Sequence, residues 1–350
     1  MCFRRRTTRG RGSGCQACRA WCGAGCQACR AESHLGFSPL VFCLTAIALL
    51  GLTACESGQQ AGAFIDPAFR PLIPPDSQLL AGVRLEKLRS TDLYKKYRAE
   101  LPLPMLEQFK EKTGLDPEQD VREVLVVGSQ ADTVVLVRGR FDAGELEAKL
   151  DGLGAKRLTY KGHMLAGDDR YAVTVLNRGV AAAGSAASLR ALIDRRDQPV
   201  AIPAALVAGL AQVPRNAQFW VVDAGAITHL GLLGQHDDVQ SILENFARYV
   251  NGAMLSLEVD SGLTFAGRVD CTSEAGVKRV NDALRGIIGL ARLTTKTEEG
   301  DLLRLYDAVE VTKEGNAVKI DAKISPDMVP SVVALLRGRA VRTMPGIPAE

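Results

Sequence analysis

Apolar positions along the chain switch between two spacings, a period of 2 in short runs and a period near 3.6 in longer ones. The first short run covers residues 78–84. Residues 85–112 then carry helical spacing broken by Pro102 and Pro104, which must interrupt or restart a helix. Residues 123–129 (EVLVVGS) and 132–138 (DTVVLVR) are β-rich runs joined by Gln130-Ala131, so they predict a hairpin. Asp142 is placed to cap a helix through residue 150. A second hairpin follows, 171–176 and 180–183 around Asn177-Arg178, and residues 185–195 close the series as a helix.

The same order then recurs. Residues 218–223 (QFWVVD) match 78–84, and 238–249 read as helical. Runs 253–259 and 263–269 form a hairpin around Ser261-Gly262, and 273–290 is the next helix. Runs 308–312 and 317–324 pair across Glu314-Gly315-Asn316, and Ser325-Pro326-Asp327 starts a closing helix to 336. Each half therefore reads β, α, ββ, α, ββ, α. Both halves contain Gly-Arg-apolar-Asp, at Gly139 to Asp142 and at Gly267 to Asp270, and the two are expected at equivalent places. The rival reading is a chance likeness of two ordinary α+β stretches.

These patterns predict an α+β fold of two similar halves, 76–196 and 216–338, each a mainly antiparallel sheet with helices packed on one face. Joining of the two sheets is left open. Residues 197–215, punctuated by Pro199, Pro203 and Pro214, read as a linker with room for a short helix at 204–211, and 339–350 as a tail. If the halves are true repeats, the cleft between them is the default binding surface.

The N-terminal region follows another pattern. Residues 40–52 run without a charge, and at helical rise thirteen residues reach only ~20 Å, short of a ~30 Å hydrocarbon core. They read as the apolar region of a signal peptide spanning 34–54. The run ends in Leu52-Thr53-Ala54-Cys55, which resembles the lipobox of bacterial lipoproteins. That resemblance implies cleavage before Cys55, diacylglycerol on its thiol and an acyl chain such as palmitate on its amine, enough chains for stable anchoring at a membrane. In lipoprotein sorting Asp after the cysteine retains the protein in the inner membrane; Glu56 stands there, which favours the outer membrane. Residues 55–75, small, polar and proline-bearing, read as the lipidated cysteine and its tether.

Residues 1–33 hold six of the nine cysteines. Cys15-x2-Cys18 with Cys26-x2-Cys29 mimics a zinc site, but its pairs stand closer than the ~15–20 residues of zinc ribbons. Cys22-x3-Cys26-x2-Cys29 has the spacing of a radical S-adenosylmethionine motif without a βα-barrel pattern behind it. Cleavage before Cys55 would remove both, and 1–33 read as a non-native upstream extension. The mature chain keeps Cys55 and Cys271, so no internal disulfide is available, and Cys271 reads as a small core residue.

Charge and composition narrow the function classes. The chain has 350 residues, 47% hydrophobic, 24% charged and 5% aromatic, values of a folded globular protein. Seven Arg, no Lys and one acid within residues 1–54 give that segment +6, so the total of +3 leaves −3 for the rest. A mildly acidic body poor in aromatics argues against nucleic acid as a partner. The body, over 76–338, resembles uncharacterised bacterial envelope proteins of a domain-of-unknown-function type with duplicated α+β halves. The resemblance includes a Gly-Leu-Asp-Pro-x-x-Asp segment, here Gly114 to Asp120, and carries no established activity.

No P-loop, H-E-x-x-H or G-x-S-x-G is present; Gly152-x-Gly154 reads as a helix cap and turn. Two groups bear chemistry. His229, His236, Asp237 and Asp238 could supply imidazole and carboxylate ligands to a divalent metal, against a solvated loop with Asp238 capping a helix. Asp168-Asp169 could serve acid–base work, against a turn with exposed acids. Arg195-Arg196 and Arg337 to Arg339 fall in last helical turns, where the helix dipole favours cations. The leading expectation is a non-catalytic, lipid-anchored envelope protein that binds a protein partner or serves a structural role, with no cofactor and no catalytic residue. The alternatives are a carrier of an apolar ligand or lipid, and an uncharacterised metal-dependent hydrolase using His229, His236 and Asp237.

Overall fold

The structure is a computed structural model that describes residues 65–100, 110, 116–130, 132–142, 144, 148, 155–197, 201–225, 247–295 and 299–342. Cys55, the leader, residues 1–33, Gly152-x-Gly154 and all but 247–249 of the predicted helix 238–249 lie outside these residues. All described residues belong to one compact unit, 60–350.

Among the described residues twelve strands form one sheet: β1 (Ser77–Arg84), β2 (Val121–Ser129), β3 (Thr133–Gly139), β4 (Arg157–Tyr160), β5 (His163–Gly167), β6 (Ala172–Asn177), β7 (Val180–Gly184), β8 (Phe219–Asp223), β9 (Val250–Val259), β10 (Leu263–Cys271), β11 (Val309–Glu314) and β12 (Ala317–Ile324). Their order is β11-β12-β10-β9-β8-β1-β2-β3-β7-β6-β5-β4, and every pairing is antiparallel. The helices whose bounds lie among the described residues are α1 (Leu85–Ser90), α2 (Asp92–Tyr97), α3 (Ala186–Arg195), α4 (Ala204–Leu210), α5 (Glu274–Thr294), α6 (Gly300–Asp307) and α7 (Val329–Arg342). The α+β class and its antiparallel sheet are therefore as the periodicity predicts.

Outward from the centre the strands run β1-β2-β3-β7-β6 on one side and β8-β9-β10-β12-β11 on the other, with the β4–β5 hairpin added at the far edge of the first. This order is compatible with two halves built to one plan. They share a single sheet rather than owning one each. β1 and β8 join through Leu79↔Asp223 to Val83↔Phe219, and that pairing satisfies backbone groups two separate sheets would leave as open edges.

Burial shows where the core sits. On one face, Leu80, Leu125, Val127, Val134, Leu136, Trp220, Val222 and Met254 align across β1, β2, β3, β8 and β9. Leu189, Leu192 and Ile193 of α3, Leu206 and Leu210 of α4, and Phe69, Leu72 and Ile73 complete that cluster. Side chains alternate along a strand, so Leu79 points the other way, and the register carries its parity through Asp223 to Ala253. On this opposite face Ala253, Val269, Val311, Val318 and Ile320 meet Val277, Val280, Leu284 and Ile288 of α5. The core thus changes face across the seam, and strands there are buried on both sides: Leu79 and Leu80, Val222 and Asp223, Ala253 and Met254. Gly82 is required at the seam because a Cβ there would overlap the Trp220 ring.

Several boundaries differ from the sequence reading. The segment 197–215 is no free linker: Leu206, Leu210 and Val213 are buried, since an Ala-rich stretch still has one apolar stripe. The reading of 55–75 as tether ends early, because Ile65, Phe69, Leu72 and Ile73 pack into the core despite the surrounding prolines. The tail reading from 339 begins inside α7. β4 and β5 are only four and five residues long, and Met164, Leu165 and Ala166 run consecutively rather than alternate, so they escape the pattern; Lys161 and Gly162 at positive φ (46° and 80°) make their tight turn. The Gly-Arg-apolar-Asp corners are not equivalent, as Gly139 ends β3 whereas Gly267 to Asp270 lie within β10. The closing helices also differ: α3 covers the Leu80 face, while Val329 and Val333 of α7 pack with Tyr97 and Leu93 of α2.

Candidate functional site

At the end of the Leu80 face the apolar rows give way to charge. Arg84, two residues beyond Gly82, stands opposite Glu123 on β2, and Glu123 stands opposite Arg138 on β3. Parity puts all three on the buried face, in line across neighbouring strands. Arg84 is only 5% exposed, and its Nη1 donates to the carbonyls of Arg215 at 2.9 Å and Ala217 at 3.5 Å. Burial lowers its pKa, with Glu123 opposing. Arg138 donates through Nη1 to the Gly179 carbonyl at 2.7 Å and pairs through Nε with Asp66 at 3.3 Å.

The two guanidiniums are thus turned toward outer partners, and Glu123 Oε1 is buried with no hydrogen-bond partner. Desolvation pushes the Glu123 carboxyl up to about 7, against the pull of Arg84. A cavity of 260 Å³ opens here, bounded also by Glu86, Lys87 and Arg122. A second cavity, of 510 Å³, shares Lys87 and lies between the halves, where Thr91 and Asp92 face Asn216, Glu258 and Asp260. Gln218 closes its floor: Nε2 donates to the Val259 carbonyl at 2.9 Å, and the Val259 amide donates to Oε1 at 2.7 Å. A polar groove thus lies beside the β1–β8 seam; because the Gly-Arg-apolar-Asp corners are not equivalent, it gains no priority as a binding surface from the repeat.

The sequence-predicted groups fare differently. Cys55, His229, His236, Asp237 and Asp238 lie outside the described residues. Asp168 Oδ1 accepts the amides of Arg170 and Tyr171, both at 2.8 Å, which lowers its pKa and builds the turn between β5 and β6. Cys271 is buried at the end of β10, and burial raises its thiol pKa. Of the cations expected in last helical turns, Arg196 is the C-cap of α3 and meets His163 Nε2 at 3.0 Å, whereas Arg337 stands before the last turn of α7, which runs on to Arg342, and meets Glu100 Oε2 at 2.6 Å.

The described part of Gly114 to Asp120 serves the fold. Asp116 Oδ1 accepts the Glu118 amide at 2.9 Å, and Arg89 Nη1 donates to the carbonyls of Glu118 and Val121 at 2.6 and 2.9 Å. Glu118 is held below its usual pKa chiefly by Arg98. Asp132 binds Ser185 and Ser188 and so ties the β2–β3 hairpin to the start of α3. Among the described residues no group of three or more His, Cys, Asp or Glu is arranged to hold a metal. No described helix is long and apolar enough to cross a membrane.

Asp66, Arg84, Glu123 and Arg138 are missed by motif reading. For three of them the signal is parity, a charge at a strand end on the same face as core residues, as Arg84 shares the parity of Leu80, Glu123 that of Leu125 and Arg138 that of Leu136; Asp66 lies outside the strands and carries no such signal.

No family model matches this chain, and no curated protein matches it. Among solved structures it is similar to crystal forms I, III and IV of TP0453. The TM-scores are 0.44, 0.47 and 0.44 at 9, 9 and 8% identity, over 78, 78 and 77% of this chain and 98, 99 and 97% of those chains. Likeness at this level assigns neither family nor function.

Proposed function

We propose that the chain is a lipid-anchored protein of the bacterial cell envelope whose body acts by binding rather than by catalysis. The observation that carries this is the leader: an apolar run too short to span a bilayer, ending at Leu52-Thr53-Ala54-Cys55. Cys55 is the lipidated residue, Glu56 favours the outer membrane, and the folded body begins by Ile65. The lipid chains hold the body at the membrane surface, and the body presents polar cavities beside the β1–β8 seam.

Globomycin treatment is expected to accumulate a precursor that retains the leader, and Cys55→Ala to shift the protein out of the membrane fraction. Unchanged mass and membrane partition in that variant would contradict the assignment. The lining of both described cavities favours a polar ligand over the apolar cargo of a carrier. Turnover that requires an added metal and is lost in His229→Ala would instead support the hydrolase reading.

A further inference from the structure

The cavity beside Glu123 combines features the core does not need. Its donors are in surplus: the Arg122 side chain makes no hydrogen bond or ion pair among the described residues, and Lys87 spends one of its three donors on the Arg215 carbonyl at 3.3 Å. Arg138 uses Nε and Nη1 and keeps Nη2 in hand. Four cationic side chains, Arg84, Lys87, Arg122 and Arg138, face three carboxyls, Asp66, Glu86 and Glu123. Glu123 is the innermost carboxyl, with one oxygen buried and unsatisfied. A volume of 260 Å³ is far beyond one water and near the lower end of small-molecule pockets.

We propose that this cavity binds a small oxyanion, an organic carboxylate or a phosphate, clamped by Arg122 and Arg138 with the Glu123 carboxyl donating a hydrogen bond to it. Planar guanidiniums match carboxylate and phosphate oxygens, and such charge-assisted bonds are the strong ones. An ionised Glu123 would repel the ligand, so binding requires its proton. Its carboxyl titrates near 7, so at neutral pH about half of the molecules must take up a proton on binding. Asp66 does not compete for this role because Arg138 holds it as an ion pair, and Glu86 sits exposed at the rim. The proposal goes beyond anchoring at Cys55, which is read by mass and membrane partition and can fail separately.

The test is calorimetric titration of the full-length protein in detergent with succinate and with inorganic phosphate. Each is titrated near pH 7 in two buffers of different ionisation heat. At least one probe is expected to bind saturably with uptake of about half a proton per site. Preference between the two tells a carboxylate ligand from a phosphate. Arg122 is exposed, so Arg122→Gln should leave the fold intact and weaken binding at least tenfold. Glu123→Gln keeps a donor in place and should retain binding within about threefold while losing the proton uptake due to Glu123. The proposal is overturned if neither probe binds at about 10 mM. Phosphate also titrates near neutral pH, so the uptake due to Glu123 is read as the difference between the unaltered protein and Glu123→Gln; no such difference, or binding unchanged by Arg122→Gln, overturns the proposal equally.

Discussion

The two sides of the seam share one strand order and bury opposite faces. On the Leu80 face, the β1–β3 side carries the larger core and ends in the row of Arg84, Glu123 and Arg138. Beyond the seam the same face presents a half-buried Arg268 with a partly exposed Lys319 and an exposed Glu314, joined by ion pairs at 3.7 and 3.4 Å. Strand order follows from turns and hairpin lengths, which both halves share. Which face is buried follows from the parity of the apolar residues, and that parity differs. The comparison teaches that charge on a sheet has meaning through its surroundings: beyond the seam the Glu314 carboxyl is exposed and ion-paired, whereas on the β1–β3 side Glu123 Oε1 is buried without a hydrogen-bond partner.

The largest expected effect that tests this contrast is at the seam. Trp220→Ala removes a buried ring packed over Gly82, and should cost about 3–5 kcal/mol in denaturant unfolding. One continuous sheet coupling the core clusters on its two faces predicts a single transition shifted to lower denaturant. A variant in which only part of the signal shifts would split the halves into separate folding units.

A smaller effect comes from Glu123. Its folded pKa lies above the unfolded value of about 4.5, so the folded state holds a proton that the unfolded state has lost. Stability therefore falls as pH rises from about 4.5 to about 7, by at most ~3 kcal/mol from this group. In Glu123→Gln that part of the slope should vanish in unfolding curves taken across the window. An unchanged slope would assign it to other groups. The smallest effect is beyond the seam on the same face, where Lys319→Ala should change stability by less than about 1 kcal/mol, and less still in high salt.

Much of the fold is legible in residue order. The hairpins 123–138, 171–183, 253–269 and 308–324 show as β-branched runs around turn residues, and α3 and α5 as amphipathic stripes. The union of the sheets is not, because pairing of β1 with β8 joins residues far apart in sequence through backbone groups that leave no side-chain pattern. The packing of Phe69 and Leu206 is hidden by neighbouring Pro and Ala, and α6 by its shortness. Arg84, Glu123 and Arg138 each look like a strand-end charge in isolation; only the register puts them side by side. The lipid anchor proposed at Cys55, conversely, rests on a linear signal alone.

The central structural claim is that one continuous sheet changes its buried face across β1 and β8, and amide hydrogen exchange tests it most directly. The account predicts that the amides of β1 and β8 exchange among the slowest in the protein, with protection that disappears only in the global transition. Fast exchange at these two strands, while the amides of β2–β3 and β9–β10 stay protected, would show two separate sheets meeting at an open edge and would contradict it.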